Sequence, residues 1–169
     1  YYTQQICASL SQLSSYLDWK VIDQVIQLIH DSDNVAFFGT QFSHSVALHF
    51  QTDLLMLEKF TMAYMEQTNQ LQCAKELDEN SVAIILTVSG HIFNGNQKMI
   101  SYIKKSNAKV VIITNDQDFD FGFEPDYVIG IGDPKYKRTG KHNLLTTMEL
   151  MALRYYSIYY PDVKDNIIE

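Results

Sequence analysis

Short, almost wholly apolar runs alternate along this chain with longer segments in which apolar residues recur at every third or fourth position. Five runs have the length and β-branched character of buried strands, and they lie at residues 35–38, 61–64, 82–86, 110–113 and 127–131. The gaps between them are long enough for the helical crossovers that join parallel strands. The pattern therefore predicts an α/β fold in which helices cover both faces of a parallel sheet.

Helical periodicity predicts helices at residues 19–30, 42–59, 67–77, 93–106 and 143–160. Pro161 marks the end of the last helix, because proline cannot continue one. The apolar residues at 54–57 surround so much of the second predicted helix that we expect them to be buried. Either a second copy of the chain or the domain's own helices can bury them.

The turns that follow the first and third predicted strands carry small and hydroxyl residues. They read GTQFS at residues 39–43 and TVSGH at residues 87–91. At the carboxyl end of a parallel strand, backbone N–H groups and the dipole of the next helix converge on an anion. Two such turns favour a phosphorylated small molecule in the crevice between the two strands. They predict a three-layer, five-stranded sheet with the order 2-1-3-4-5, in which the first and third strands are neighbours.

Seven residues of these turns are the predicted ligand-binding residues: Gly39, Gln41, Ser43, Thr87, Ser89, Gly90 and His91. Ser43 and Ser89 also suit a second role, because serine at a helix start can cap orphan N–H groups without any ligand. For His91 the alternatives are a contact to a phosphate or sugar hydroxyl and a plain surface position.

Composition limits the classes of function. The chain has 169 residues, which fits one domain, and a net charge of −7. No cluster of basic residues provides the stripe that DNA binding requires. Lys141 and His142, ahead of the last predicted helix, could donate to a ligand, but the basic residues near Lys137 and Arg138 more often form a solvated loop. The five histidines form no metal-binding pattern, and nothing indicates a cofactor. No apolar run reaches the roughly 18 residues needed to cross a bilayer. We therefore expect a cytoplasmic protein without membrane contact.

The two turns, together with the order of helices and strands from about residue 19 to residue 160, resemble the sugar isomerase (SIS) domain. Members of that family carry G-x-G-x-S in the first turn and S-x-S-G-x-T in the second. This chain keeps Ser43, Ser89 and a hydroxyl at Thr87, whereas Gln41 replaces the second glycine and Ile92 the final threonine. Asn94 stands where many members have glutamate.

Within that family, the pattern of a leading helical segment, a SIS domain and a closing helix with Arg138 just before it is similar to the effector domain of RpiR-type bacterial transcription regulators. The resemblance implies a single SIS-like domain over residues 1–169 that binds a sugar phosphate or a related metabolite. It also implies contact with DNA only through an N-terminal helix-turn-helix domain, and the first residue, Tyr1, agrees with the removal of such a domain. We expect a homodimer or a higher homo-oligomer.

Two other functions stay open at this point. A sugar-phosphate isomerase needs a general base and an acid beside the sugar. Glu58, His91 and Glu149 are the candidates by position, but they form no recognisable pair, so no catalytic residue is predicted. The third possibility is a SIS-like dimerisation module that has lost its ligand, because Gln41 and Ile92 depart from the phosphate-binding pattern.

Overall fold

A five-stranded parallel sheet forms the centre of the computed structural model, which describes residues 1–161. The strands are β1 (Asn34–Phe38), β2 (Met62–Ala63), β3 (Ser81–Thr87), β4 (Lys109–Thr114) and β5 (Tyr127–Gly130). Their order is β2-β1-β3-β4-β5, and every neighbouring pair is parallel. The predicted fold class and strand order are therefore confirmed. The predicted domain boundary at residue 169 lies outside the described residues.

Seven helices surround the sheet within residues 1–161: α1 (Tyr2–Tyr16), α2 (Trp19–Asp31), α3 (Phe42–Met56), α4 (Gln67–Glu76), α5 (His91–Gly95), α6 (Gln97–Lys105) and α7 (Gly140–Tyr159). The helix predicted at 93–106 is in fact two helices, because Asn96 leaves the helical region with φ −133° and ψ 45°. Gly95 and Asn96 are both weak helix formers, which explains the break.

Two further differences between prediction and structure concern α1 and the second strand. Helix α1 is absent from the predicted helices, because its single fully buried residue, Leu13, gives little amphipathic signal. The second strand is two residues long instead of four. It lies at the edge of the sheet, where it pairs only with β1 among the described strands.

Alternate residues of the central strands pack into two separate layers of core. Val35 and Phe37 of β1 face the layer of α1, α2, α3 and α7, whereas Ala36 and Phe38 face the layer of α4, α5 and α6. This alternation follows from the two-residue period of a strand. All seven residues of β3 are buried, which accounts for the nearly continuous apolar sequence there.

The strand register brings the two predicted binding turns together. Phe38, the last residue of β1, pairs with Ile85 of β3, and β3 continues two residues further to Thr87. Both turns therefore leave the same edge of the sheet from neighbouring strands. This edge is where ligands bind in open parallel sheets, at the point where the strand order reverses.

The apolar residues at 54–57 differ in how far the domain buries them. Leu54 is fully buried in the domain's own core, whereas Leu55 is 49% exposed and Met56 is 79% exposed. The domain's own helices thus bury only part of this stretch. Among residues 1–161, no helix is both long enough and apolar enough to cross a membrane.

Candidate functional site

The β1–α3 turn brings backbone unusually close to the first turn of α3. A Cβ atom at Gly39 would lie 3.0 Å from the backbone nitrogen of His44, so only glycine fits there without displacing the helix. Gln41 has φ 52° and ψ −122°, a backbone conformation that glycine adopts far more readily than glutamine. The chain therefore holds a strained residue where the family pattern has glycine, and such strain is characteristic of functional sites.

The β3–α5 turn is held by an internal hydrogen bond. The backbone N–H of Gly90 donates to Thr87 Oγ1 over 2.9 Å, which leaves the hydroxyl proton of Thr87 to donate elsewhere. Gly90 has φ +81°, and a Cβ atom there would lie 2.7 Å from the Phe119 ring. Gly90 thus shapes the turn, while its N–H is already engaged.

A cavity of about 340 Å³ lies between the two turns. Its lining residues come from both turns and from the start of α7: Thr40, Gln41, Phe42, Ser43, Thr87, Val88, Ser89, His91, Lys137 and Lys141. Five of the seven predicted ligand-binding residues are in this wall. Gly39 and Gly90, the other two, position the turns without lining this cavity.

Neither serine caps a helix. The N-cap of α3 is Gln41, which places Ser43 second in the helix, and the N-cap of α5 is Gly90. Within the described residues, the hydroxyls of Ser43 and Ser89 make no hydrogen bond to another protein group. The capping alternative is therefore wrong for both residues, and both hydroxyls are available to a ligand.

Two lysines complete the wall, although the sequence predicts a solvated loop for this region. Lys137 lies in the loop before α7, and Lys141 lies in the first turn of α7, with its Nζ atom 5.6 Å from the centre of the Phe42 ring. Gly140 makes this placement possible, because a Cβ atom there would lie 2.6 Å from Val88 Cγ1. The sequence offers Lys141 as a possible ligand donor by its place ahead of the last predicted helix, whereas it assigns Lys137 only to the loop.

The cavity wall is cationic although the whole chain is acidic. Lys137 and Lys141 line it, and no aspartate or glutamate within residues 1–161 does. The N-terminus of α3 adds its partial positive charge at Phe42 and Ser43. Hydroxyl donors, ammonium groups and a helix N-terminus are the groups with which proteins commonly bind phosphate.

The carboxylates considered as catalytic bases lie elsewhere. Glu149 is on α7 with its Oε1 atom 3.8 Å from Nε2 of His49, an exposed residue of α3. Glu58 is exposed just beyond the end of α3. Of the three candidates, only His91 lines the cavity. Among residues 1–161 there is also no cluster of His, Cys, Asp or Glu suited to a metal ion.

Comparison with known proteins finds similar structures, but neither a matching family model nor a matching curated sequence. The Vibrio vulnificus NanR protein complexed with ManNAc-6P superposes with a TM-score of 0.80 at 15% identity, over 96% of this chain and 63% of NanR. This chain thus spans less than two thirds of NanR.

Two further solved structures are similar over more than nine tenths of both chains. The sugar isomerase domain of the RpiR transcription factor from Sphaerobacter thermophilus has a TM-score of 0.65 at 15% identity, covering 92% of this chain and 94% of that one. A phosphoheptose isomerase from Francisella tularensis has a TM-score of 0.74 at 14% identity, covering 91% and 94%. Regulators and isomerases are both among the neighbours. The parallel sheet of order 2-1-3-4-5, its paired turns and these superpositions establish that the chain has the SIS fold.

Proposed function

We propose that this chain is an effector-sensing domain that binds a phosphorylated sugar, as part of an RpiR-type transcription regulator. The observation that carries the proposal is the cavity at the ends of β1 and β3, where Ser43, Thr87 and Ser89 offer hydroxyls beside Lys137 and Lys141. The neighbours agree with this ligand class, because NanR was solved with ManNAc-6P and the Francisella tularensis neighbour is a phosphoheptose isomerase.

Sensing is favoured over isomerisation by what the cavity wall contains. Aldose–ketose isomerisation moves a proton between adjacent carbons and needs a positioned base, most simply a carboxylate. Within the described part of the chain no carboxylate lines the cavity, and Asn94 occupies the position where many SIS members have glutamate. Besides the lysines, His91 is the titratable group that the described residues contribute to the wall, and a single imidazole does not supply a base and a separate acid.

A sensor domain acts by binding one conformation of the whole regulator more tightly than another. The ligand free energy would shift the position of an attached helix-turn-helix domain, which would make the contacts to DNA. The acidic net charge of −7 is compatible with this arrangement, because the sensor itself does not touch the phosphate backbone. The expected location of such a regulator is the cytoplasm.

Thermal unfolding of the purified chain with a panel of sugar phosphates tests the proposal. A ligand present at 100 times its Kd should raise the free energy of unfolding by about 2.7 kcal/mol. The unphosphorylated parent sugars serve as controls and should give a much smaller increase, because they lack the group that the lysines and hydroxyls bind.

A second measurement separates sensing from catalysis. The stabilising sugar phosphate is incubated with the protein and followed by NMR for interconversion of aldose and ketose. We expect the sugar to remain unchanged. Turnover would assign the chain to the isomerases, and equal stabilisation by phosphorylated and unphosphorylated sugars would contradict the phosphate site.

A further inference from the structure

A second cavity adjoins the cationic one on the other side of the β1–α3 turn. It encloses about 530 Å³, and Thr40 and Gln41 belong to the walls of both cavities. The remaining wall comes from α3, α4, α5, α6 and the residues next to them: Gly39, His44, Ser45, Met65, Gln67, Gln70, Gly95, Asn96 and Met99. The two cavities therefore lie next to each other, with Thr40 and Gln41 as their common wall.

The second cavity differs from the first in its electrostatics. No lysine, arginine, aspartate or glutamate among residues 1–161 lines it, and its polar side chains are amides and hydroxyls, apart from His44. Amides and hydroxyls can both donate and accept hydrogen bonds, which suits the hydroxyl groups of a sugar. They offer no counter-ion to a charged group.

The surroundings of His44 favour its neutral form. The Gly39 N–H donates to Gln70 Oε1 over 3.2 Å, which fixes the Gln70 amide so that its Nε2 faces Gly39 O at 3.1 Å and His44 Nδ1 at 3.3 Å. His44 Nδ1 is then an acceptor, and the proton of the neutral ring is on Nε2. The residue is only 5% exposed, and burial lowers its pKa.

The same contacts fix the wall between the cavities. Gln70 on α4 bonds both backbone groups of Gly39 and the first turn of α3 through His44, so that it ties the β1–α3 turn to α4. The His44 Nε2 atom is buried and has no hydrogen-bond partner within the described residues. An unpaired buried donor is costly, and it is therefore uncommon away from ligand sites.

On the basis of the function proposed above, we infer that the ligand is a monosaccharide phosphate whose sugar part is uncharged. Its phosphate lies among Ser43, Ser89 and Lys141, and its hydroxyl groups lie in the cavity lined by Gln67 and Asn96. The uncharged wall selects against a sugar that carries a free amino group or a carboxylate, because either charge would lose its hydration without gaining a counter-ion.

Calorimetric titration with matched ligands tests this inference. The probes are inorganic phosphate and the 6-phosphates of glucose, mannose and galactose, each compared with its 2-amino counterpart. The neutral sugar phosphate of the tightest pair should bind at least about tenfold more tightly than both inorganic phosphate and its amino counterpart.

The variant Asn96→Asp places one negative charge in the second cavity while it keeps the acceptor for the Gln67 amide. It should shift the preference by about tenfold toward the amino sugar phosphate and change inorganic phosphate binding by no more than about twofold. Asn69→Asp is the matched control, because Asn69 lies on the same helix as Gln67 but lines a different cavity. It should leave the preference unchanged.

The outcomes separate this inference from the function on which it rests. If inorganic phosphate binds but no sugar phosphate binds more tightly, or if Asn96→Asp leaves the preference as it was, the second cavity does not hold the sugar. If neither inorganic phosphate nor any sugar phosphate binds, the phosphate site itself is wrong, and this inference falls with it.

Discussion

Ser89 is the residue whose hydroxyl the account assigns most directly to the phosphate. Changing Ser89→Ala removes one donor from a charged acceptor and should weaken sugar-phosphate binding by about 1 to 3 kcal/mol. The free energy of unfolding should change less, because Gly90 and Thr87 still hold the turn. Calorimetry measures the first quantity and denaturant unfolding the second.

Ser101→Ala is the matched control for this substitution, because Ser101 lies on α6 and lines neither cavity. It should bind the ligand like the wild type. Unchanged affinity in Ser89→Ala would place the phosphate elsewhere.

Gln41 carries the strain of the first turn, with φ 52° and ψ −122°. Gln41→Gly should relieve strain of about 1–3 kcal/mol, partly offset by the greater freedom of glycine in the unfolded chain. We expect a net gain of up to about 1 kcal/mol in the free energy of unfolding. Phosphate should also bind more tightly, because the backbone can approach it more closely.

Denaturant unfolding compares this variant with Asn107→Gly. Asn107 also has a positive φ, 60°, but asparagine tolerates the left-handed region well, so this control should gain no stability. A loss of stability in Gln41→Gly would show that the glutamine side chain contributes more than the strain costs.

His44 gives the stability of the domain a dependence on pH. Burial lowers its pKa below the usual value of 6.5, so the unfolded chain binds the proton more readily than the folded one does. The free energy of unfolding should therefore fall as the pH drops below about 6.5, and this fall should continue down to the lowered pKa of the folded state.

The slope of the free energy of unfolding against pH tests the role of His44 better than the free energy at a single pH does. A substitution at a buried position also changes packing, which alters that free energy at every pH. Unfolding measured between pH 7.5 and about 5 should give a flatter dependence for His44→Gln than for the wild type. An identical slope in both proteins would mean that another group causes the loss at low pH.

At the level of single residues, sequence reasoning identified the turn residues but not their roles. Hydroxyl and glycine residues after apolar strands marked Ser43, Thr87 and Ser89, which do line the cavity. Gly39 and Gly90 act through backbone geometry, which becomes apparent only when the neighbouring atoms are placed. Gln70 could not be predicted, because its contact to Gly39 spans 31 positions in sequence.

Among the elements, the start of α7 decides whether the lysines reach the site. Gly140→Ala would put a Cβ atom 2.6 Å from Val88 Cγ1 and push the start of α7 away from the β3–α5 turn. We expect a loss of about 1–3 kcal/mol in the free energy of unfolding. Ligand affinity should also fall, because Lys141 moves with the helix.

Gly95→Ala is the control for stability, because no described atom outside its own helix lies within 4 Å of a Cβ atom there. It should keep or slightly raise the free energy of unfolding. Ser101→Ala is the control for affinity, because Ser101 lines neither cavity, and it should leave ligand affinity unchanged. If Gly140→Ala kept full affinity for the sugar phosphate, Lys141 would not be part of the site.

The elements show where periodicity is informative and where it is not. The central strands and α2 have strong hydrophobic patterns. The central strands are buried on both faces. Helix α2 buries one face, which carries Ile22, Val25, Ile26 and Ile29. The break at Asn96 was missed because the apolar spacing continues across it. Lys141 lies in a helix and not in the predicted loop, because α7 begins at Gly140, three residues before its predicted start.

At the scale of the whole molecule, oligomerisation stays a prediction. Leu55, Met56, Phe60 and Met65 are between 49% and 79% exposed around the end of α3 and the edge strand β2. We expect a homodimer in sedimentation experiments at tens of micromolar protein, a concentration at which many dimers are assembled. A monomer there would mean that these residues are exposed in the functional state.

We propose that one cationic cavity binds the phosphate of a sugar phosphate, and calorimetry of two double variants measures its contribution. One variant replaces Lys137 and Lys141 with glutamine. The other replaces Lys104 and Lys105, which lie in the last turn of α6 and line neither cavity. Each double variant removes two positive charges, so that the two proteins have the same net charge.

We expect the variant without Lys137 and Lys141 to bind the sugar phosphate at least about tenfold more weakly than the wild type, because a phosphate loses two charge-assisted partners. The variant without Lys104 and Lys105 should bind within about twofold of the wild type. Equal affinity of the two variants, or no binding by the wild type, would contradict the claim.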